Sequence, residues 1–337
     1  MLRDPYQYVM ELYKQDGAKL GRTATTVDWE PAREWTRFSA VRRGKLPHDE
    51  TGGAASIHPL WHPDTGEPYL GGFRVGITRN GCEVTADFTT SYFASLAREA
   101  SAYFVERGRL QEGERFKYFV TAYPRRETPE PGTGLTGEEA VPAISYRETR
   151  LSEFLGRAVP AGTVDSEDMP VFFPQDVLEE VRGLTSAVQG TETGGFLIGC
   201  LHRDAGLPEI FAEVTAQIPA QAQGDTTKLR LTPETWTAGR AALKLRNRGE
   251  IFLGYWHSHP VKEWCKQSQC SLDKLRTCAL ARDYFSEEDQ AVLRAAFPRA
   301  YSLGLVVNDA PLEQMSISLF GWKQGLVASR GYYVLQR

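Results

Sequence analysis

Apolar and polar residues alternate over "FRVGITRNGCEVTADF", residues 73–88, which predicts two strands joined at Asn80-Gly81, a dipeptide suited to a two-residue hairpin turn. A helical spacing follows on Phe93, Leu96, Ala100, Tyr103 and Phe104, and "RFKYFVTAY" reads as a further strand. The stretch "RRETPEPGTGLTGEEAVP" at 125–142 breaks every period and has the Pro, Gly, Thr and Glu content of a linker or long surface loop. Beyond it, Val177, Leu178, Val181 and Leu184 predict a helix over 175–187, and "GGFLIGC" and "EIFAEVTAQI" predict strands. "LTPETWTAGRAALKLRNRG" predicts another helix, with Thr232 as N-cap, Pro233 in the first turn and Gly249 as its stop. The strand "EIFLGYWHSH", a helix beginning at Ser286 and the strands "YSLGLVVN", "MSISLFGW" and "YYVLQ" complete the pattern, while residues 20–65 show no clear period and no internal repeat is visible. The organisation expected is an α+β domain over 1–126, a linker over 127–167 and an α/β mixed-sheet domain over 168–337.

At 337 residues the chain is long enough for two cores. A composition of 41% hydrophobic and 24% charged residues is that of an ordinary globular protein, and a formal net charge of -4 leaves no basic footprint for nucleic acid. The first twenty residues are too charged for a signal peptide, and no apolar run approaches the ~20 residues of a membrane helix, so the chain reads as cytoplasmic. Five cysteines without an export signal argue against a disulfide framework.

The chemistry concentrates in "GYWHSHP", residues 254–260. Side chains i and i+2 on a strand share a face, so His257 and His259 can present two imidazoles toward one point, as metal ligands require. Two histidines do not complete a zinc site, and the missing ligand should be a carboxylate or another histidine. His48, His58 and His62 lie in the N-terminal part, where prolines interrupt "HPLWHP", and His202 is expected in a polar turn, so these four read as structural or surface residues. In "FSEEDQAVLRAAFP", Ser286 and Asp289 stand three apart at a helix start, a spacing that serves a helix cap as well as a pair of side chains facing one site.

Taken jointly, "ETGGFLIG", "HSHP" and "SEED" followed by a helix and an apolar strand resemble the JAMM (also called JAB or MPN+) family of zinc metalloproteases, over roughly residues 168–325. The resemblance implies a cytidine-deaminase-like three-layer domain in which His257, His259 and Asp289 bind a catalytic Zn2+. It implies Glu192 as the acid/base and Ser286 as a donor to the tetrahedral intermediate. The residue types suit that chemistry, because zinc acidifies its bound water to a pKa of about 7 and polarises a carbonyl, while a carboxylate shuttles the proton. Glycines beside Glu192 permit a close substrate approach and equally a plain turn.

This chain departs from the compact family pattern by an insertion of roughly two dozen residues at about 262–284, between the histidines and the aspartate, of a kind that surface loops tolerate. The insertion holds Cys265, Cys270 and Cys278, which fit either a second, structural zinc or reduced cysteines in a lid. The absence of Cys-x-x-Cys separates the chain from zinc nucleobase deaminases. The activity implied is that of an isopeptidase or peptidase acting on a ubiquitin-like protein. Its partners would be that protein, its conjugates, and the activating and conjugating enzymes of a bacterial system, in some relatives an antiviral one. A sulfur-carrier precursor or small amide conjugate, and a non-catalytic scaffold, are the alternatives.

Overall fold

The computed structural model describes residues 2–48, 53–62, 69–125, 143–188, 190–220, 231–271, 273–274, 284–310 and 315–336. The chain is a mixed α/β protein that divides into two compact units, Met1–Val41 with Lys45–Ile144, and Arg42–Gly44 with Ser145–Arg337.

The elements of the N-terminal part run β1 (Leu2–Arg3), β2 (Tyr6–Lys14), β3 (Lys19–Thr25), α1 (Glu30–Arg42), β4 (Ala54–Trp61), β5 (Leu70–Arg79), β6 (Cys82–Thr89), α2 (Ala94–Glu106) and β7 (Phe116–Pro124). They form a four-stranded sheet, β1-β4-β5-β6, and a three-stranded sheet, β3-β2-β7. The Asn80-Gly81 turn is as expected: both residues have positive φ, and Arg79 pairs with Cys82. On α2, Ala97 and Phe104 are buried whereas Tyr103 is 51% exposed, so the buried stripe is narrower than the apolar spacing suggested. The unit's core is aromatic, with Trp29 packed 4.7 Å from Phe73 and stacked on Tyr92. Asp4 ties it together by accepting hydrogen bonds from the Tyr6 amide, the Tyr8 hydroxyl and the Trp29 indole.

The second unit contains β8 (Arg147–Thr149), α3 (Leu151–Leu155), β9 (Ala158–Ala161), β10 (Val171–Pro174), α4 (Gln175–Ala187), β11 (Gly194–Asp204) and β12 (Ile210–Pro219). It continues with α5 (Pro233–Arg246), β13 (Ile251–His259), α6 (Val261–Gln267), α7 (Glu287–Ala296), β14 (Leu303–Asn308), β15 (Ser316–Lys323), β16 (Leu326–Arg330) and β17 (Tyr332–Leu335). Residues 145–167, which the composition assigned to the linker, therefore carry β8, α3 and β9. Leu151 and Phe154 bury themselves against Phe172, Phe211 and Leu335, a contact made only in three dimensions.

One ten-stranded mixed sheet organises this unit in the order β16-β15-β14-β13-β11-β12-β10-β17-β9, with β8 alongside β11. β11 and β13 are its middle, nearly every residue buried, as expected of strands covered on both faces. Paired residues share a face, so Phe196 and Tyr255, which pair, both meet Phe297 just past α7, and Phe196 also meets Trp236 of α5. Trp256 points to the opposite face, where its indole donates to Gln217, itself bonded to Glu180 of α4. Helix α5 begins at Thr232, whose side chain accepts from the Thr235 amide, but it ends on Asn247 in the left-handed conformation, two residues before the expected Gly249.

Gly183, on the exposed side of α4, has nothing within 4 Å of an added Cβ. A Gly183→Ala chain is expected to gain about 1 kcal/mol from helix propensity alone, read as a raised denaturation midpoint; a lowered midpoint would mean that the position carries a contact the structure does not show.

Candidate metal centre

Beyond the β11–β13 irregularity, Tyr255, His257 and His259 alternate onto one face of β13, the face that meets Asp289 at the start of α7. Tyr255 stacks on His257 at 5.5 Å and donates its hydroxyl to the Asp289 carbonyl, fixing the first turn of α7 over the strand. That turn begins with a capping box: Ser286 Oγ accepts from the Asp289 amide, and Asp289 Oδ2 accepts from the Ser286 amide and hydroxyl at 2.8 and 2.7 Å. The two uses that the spacing allowed are both realised, because the capping carboxylate also faces the histidines. Asp289 Oδ1 lies 3.2 Å from His257 Nε2, Asp289 Oδ2 lies 3.7 Å from His259 Nε2, and the two Nε2 atoms are 3.0 Å apart.

These separations fit a metal. With zinc–ligand bonds of ~2.0–2.1 Å, the edges of a tetrahedron are about 3.3 Å long, and one ligand atom from each residue lies within 4.8 Å of the others. Both histidines are nearly inaccessible, at 1% and 2% exposure, so water cannot satisfy lone pairs held this close. The His257 Nδ1 is buried with no hydrogen-bond partner among the described residues. His259 Nδ1 is 3.1 Å from the Asn308 carboxamide oxygen, which can only accept, so the proton sits on Nδ1 and the Nε2 lone pair faces the centre.

The protonation states agree with that use. Burial, together with the neighbouring charge of His257, pushes the His259 pKa down and outweighs the opposing pull of Asp289 and Asn308, which favours the neutral imidazole. Burial acts to raise the Asp289 pKa, but the adjacent His257 and His259 imidazoles and the hydrogen bond from the Ser286 hydroxyl overcome it and hold the carboxyl well below its usual range. A neutral imidazole and an ionised carboxylate are the forms that coordinate a metal.

Glu192 lies two residues before β11, the strand paired with β13. Gly194 pairs with His257, and Thr193 exchanges hydrogen bonds with Ser258, donating to its Oγ and accepting from its amide. Glu192 precedes Thr193, is half-buried, and lies close enough to Tyr255 that its charge raises the phenol pKa, after burial and Asp289 have done so. Ser286 is also at the centre, yet its single proton is directed to Asp289 Oδ2, so here the hydroxyl holds the carboxylate in place.

Three neighbours carried no signal in the motif. Asn308 ends the apolar run "GLVVN", and only the β13–β14 register, which pairs it with His259, reveals its use. The rings of Trp264 and Tyr284 flank His259 at 5.3 and 5.6 Å, both contributed by the insertion. Beside the turn after His259 runs a cleft of about 350 Å³, lined by Thr185, Val188, Gly190, Pro260, Lys262 and Asp309. An Asn308→Leu chain is expected to hold zinc about 10–100-fold more weakly, measured by competition with a chromophoric chelator; unchanged affinity would show that the Asn308 bond does not orient the ring.

The insertion is partly helical. Cys265 lies within α6, neither Cys265 nor Cys270 is in a disulfide, and Cys278, the third cysteine expected of a second zinc site, lies outside the described residues. His202, expected in a polar turn, is instead buried in β11, where it bonds Thr149 and Glu213 and stacks on Phe211. His58 lies on β4 with its ring bonded to Ser56.

No family model matches this chain, and no curated protein does. Among solved structures, it is similar to a protein from Desulfitobacterium hafniense determined in solution, at 19% identity and a TM-score of 0.34, over 50% of this chain and 94% of that one.

Proposed function

We propose that this chain is a zinc-dependent isopeptidase or peptidase of the JAMM type that releases or processes a ubiquitin-like protein. The observation that carries the reading is the convergence of His257, His259 and Asp289 at 3.0–3.7 Å. The second unit's mixed sheet, covered by α4 on one face and by α5 and α7 on the other, supports the three-layer arrangement of that family.

His257 and His259 Nε2 and the Asp289 carboxylate would hold the ion. Zinc there would supply Lewis-acid chemistry, polarising a carbonyl oxygen and acidifying water to a pKa of about 7. Glu192 accepts a proton from the attacking water and returns it to the leaving amine, as a half-buried carboxylate beside the centre can do. Asn308 keeps His259 in the tautomer that binds, and Ser286 and the Tyr255 hydroxyl keep α7 and Asp289 in register. The Trp264 and Tyr284 rings narrow the approach, and the adjoining cleft offers room for an extended peptide segment such as the tail of a modifier. The setting proposed is the cytoplasm of a bacterium with a conjugation system. Among the described residues, no helix is long and apolar enough to cross a membrane.

The test is release of lysine amine from a peptide whose lysine side chain carries an extended glycine-terminated tail. Release should stop with a metal chelator and return with zinc. Undiminished release under exhaustive chelation would contradict the proposal.

A further inference from the structure

Helix α6 ends in a particular turn. Ser268 closes the helix, Gln269 is left-handed at φ +48°, its amide bonds the Lys266 carbonyl at 3.1 Å, and the Cys270 amide bonds the Cys265 carbonyl at 3.0 Å. This is the Schellman pattern, in which the two residues joined by the bond that spans more of the chain commonly make an apolar side-chain contact. Here both are cysteines. Cys265 is buried with Val261 and Ala310, and Cys270, half-buried, packs against that cluster.

The backbone meets the distance requirement for a bond between them. Backbone dimensions on either side of a 3.0 Å N···O contact leave the two Cα atoms less than about 7 Å apart, the limit beyond which a disulfide cannot close without backbone movement. The preceding residue, Trp264, has its ring against His259, so a bond here would fasten the turn that carries this wall of the centre.

We propose that Cys265 and Cys270 form a redox modification site, converted to an intramolecular disulfide by a low-molecular-weight disulfide. The more exposed Cys270 thiolate attacks one sulfur of the small disulfide, forming a mixed disulfide and expelling one small thiolate. The Cys265 thiolate then attacks the Cys270 sulfur and expels the second. Two protein thiols are oxidised, one small disulfide is reduced to two thiols, and the two protein protons pass to the leaving thiolates. The site rests on the turn geometry and does not depend on the neighbouring centre being catalytic.

The full chain and a Cys278→Ser chain, incubated with oxidised glutathione, alkylated and cleaved after lysine, provide the test. Lys266 lies between the two cysteines, so a disulfide joins the Glu263–Lys266 and Gln267–Lys274 peptides. The expected result in both chains is that joined pair, lighter than the sum of its peptides by two hydrogens and separated by reduction, with slower amide exchange at Gln269 and Cys270. Alkylation of both cysteines, glutathione retained on each, a bond to Cys278 in place of the pair, or unchanged amide exchange would each overturn the proposal.

Discussion

Glu192→Gln is expected to lower turnover of the proposed isopeptide substrate by about 10²–10⁴-fold, the range associated with loss of a positioned general acid/base. Glutamine keeps the size of the side chain and removes its charge and its ability to take and return a proton. Zinc content is expected to stay at the wild-type value, because the proposed ligands lie on β13 and α7 and the Tyr255 to Asp289 bond is untouched. The loss falls on kcat, since the proton moves in the chemical step and not in binding. A variant with full activity would remove Glu192 from the mechanism; one that lost metal along with activity would make it a ligand or a structural group.

Gly254→Ala is expected to destabilise the second unit by about 3 kcal/mol or more, beyond the usual range for a surface change. Gly254 follows an irregularity in the β11–β13 register, where Leu197 pairs with Gly254 and Ile198 with Phe252. On its other side it pairs with Leu303 of β14, and a Cβ there would lie 1.8 Å from the Leu303 carbonyl oxygen. The obstacle is backbone in the middle of the sheet, so no rotamer change relieves it. Any shift of β13 is passed three residues on to His257, so zinc affinity should fall with stability. Chemical denaturation followed by tryptophan fluorescence measures the first effect and chelator competition the second; an unchanged midpoint would show that the strands separate at no cost.

Local signals were readable where local physics decides. Asn80-Gly81 adopts the left-handed turn because little else fits two residues between paired strands, and Thr232 caps its helix because an oxygen is needed opposite the first amides. The alternation of His257 and His259 placed both on one face before any fold was known. Other features depended on partners distant in sequence. Asn308 becomes meaningful only because β14 lies parallel to β13. Helix α6 sits in a stretch whose polar composition reads as loop, yet Val261 and Cys265 bury against Ala310. Strand β2 alternates Tyr8, Met10 and Leu12 inward, a usable signal hidden by the density of charge around it. The capping box at Ser286 shows the converse, since one carboxylate serves the helix and the centre together and the sequence alone could not choose between them.

The measurement that bears most directly on the metal centre is zinc per purified chain, by elemental analysis, in a Cys265/Cys270/Cys278→Ser triple variant with and without His257→Ala. The account predicts one zinc per chain in the triple variant and none once His257 is also replaced. No zinc in the triple variant, or zinc that survives the loss of His257, would contradict it.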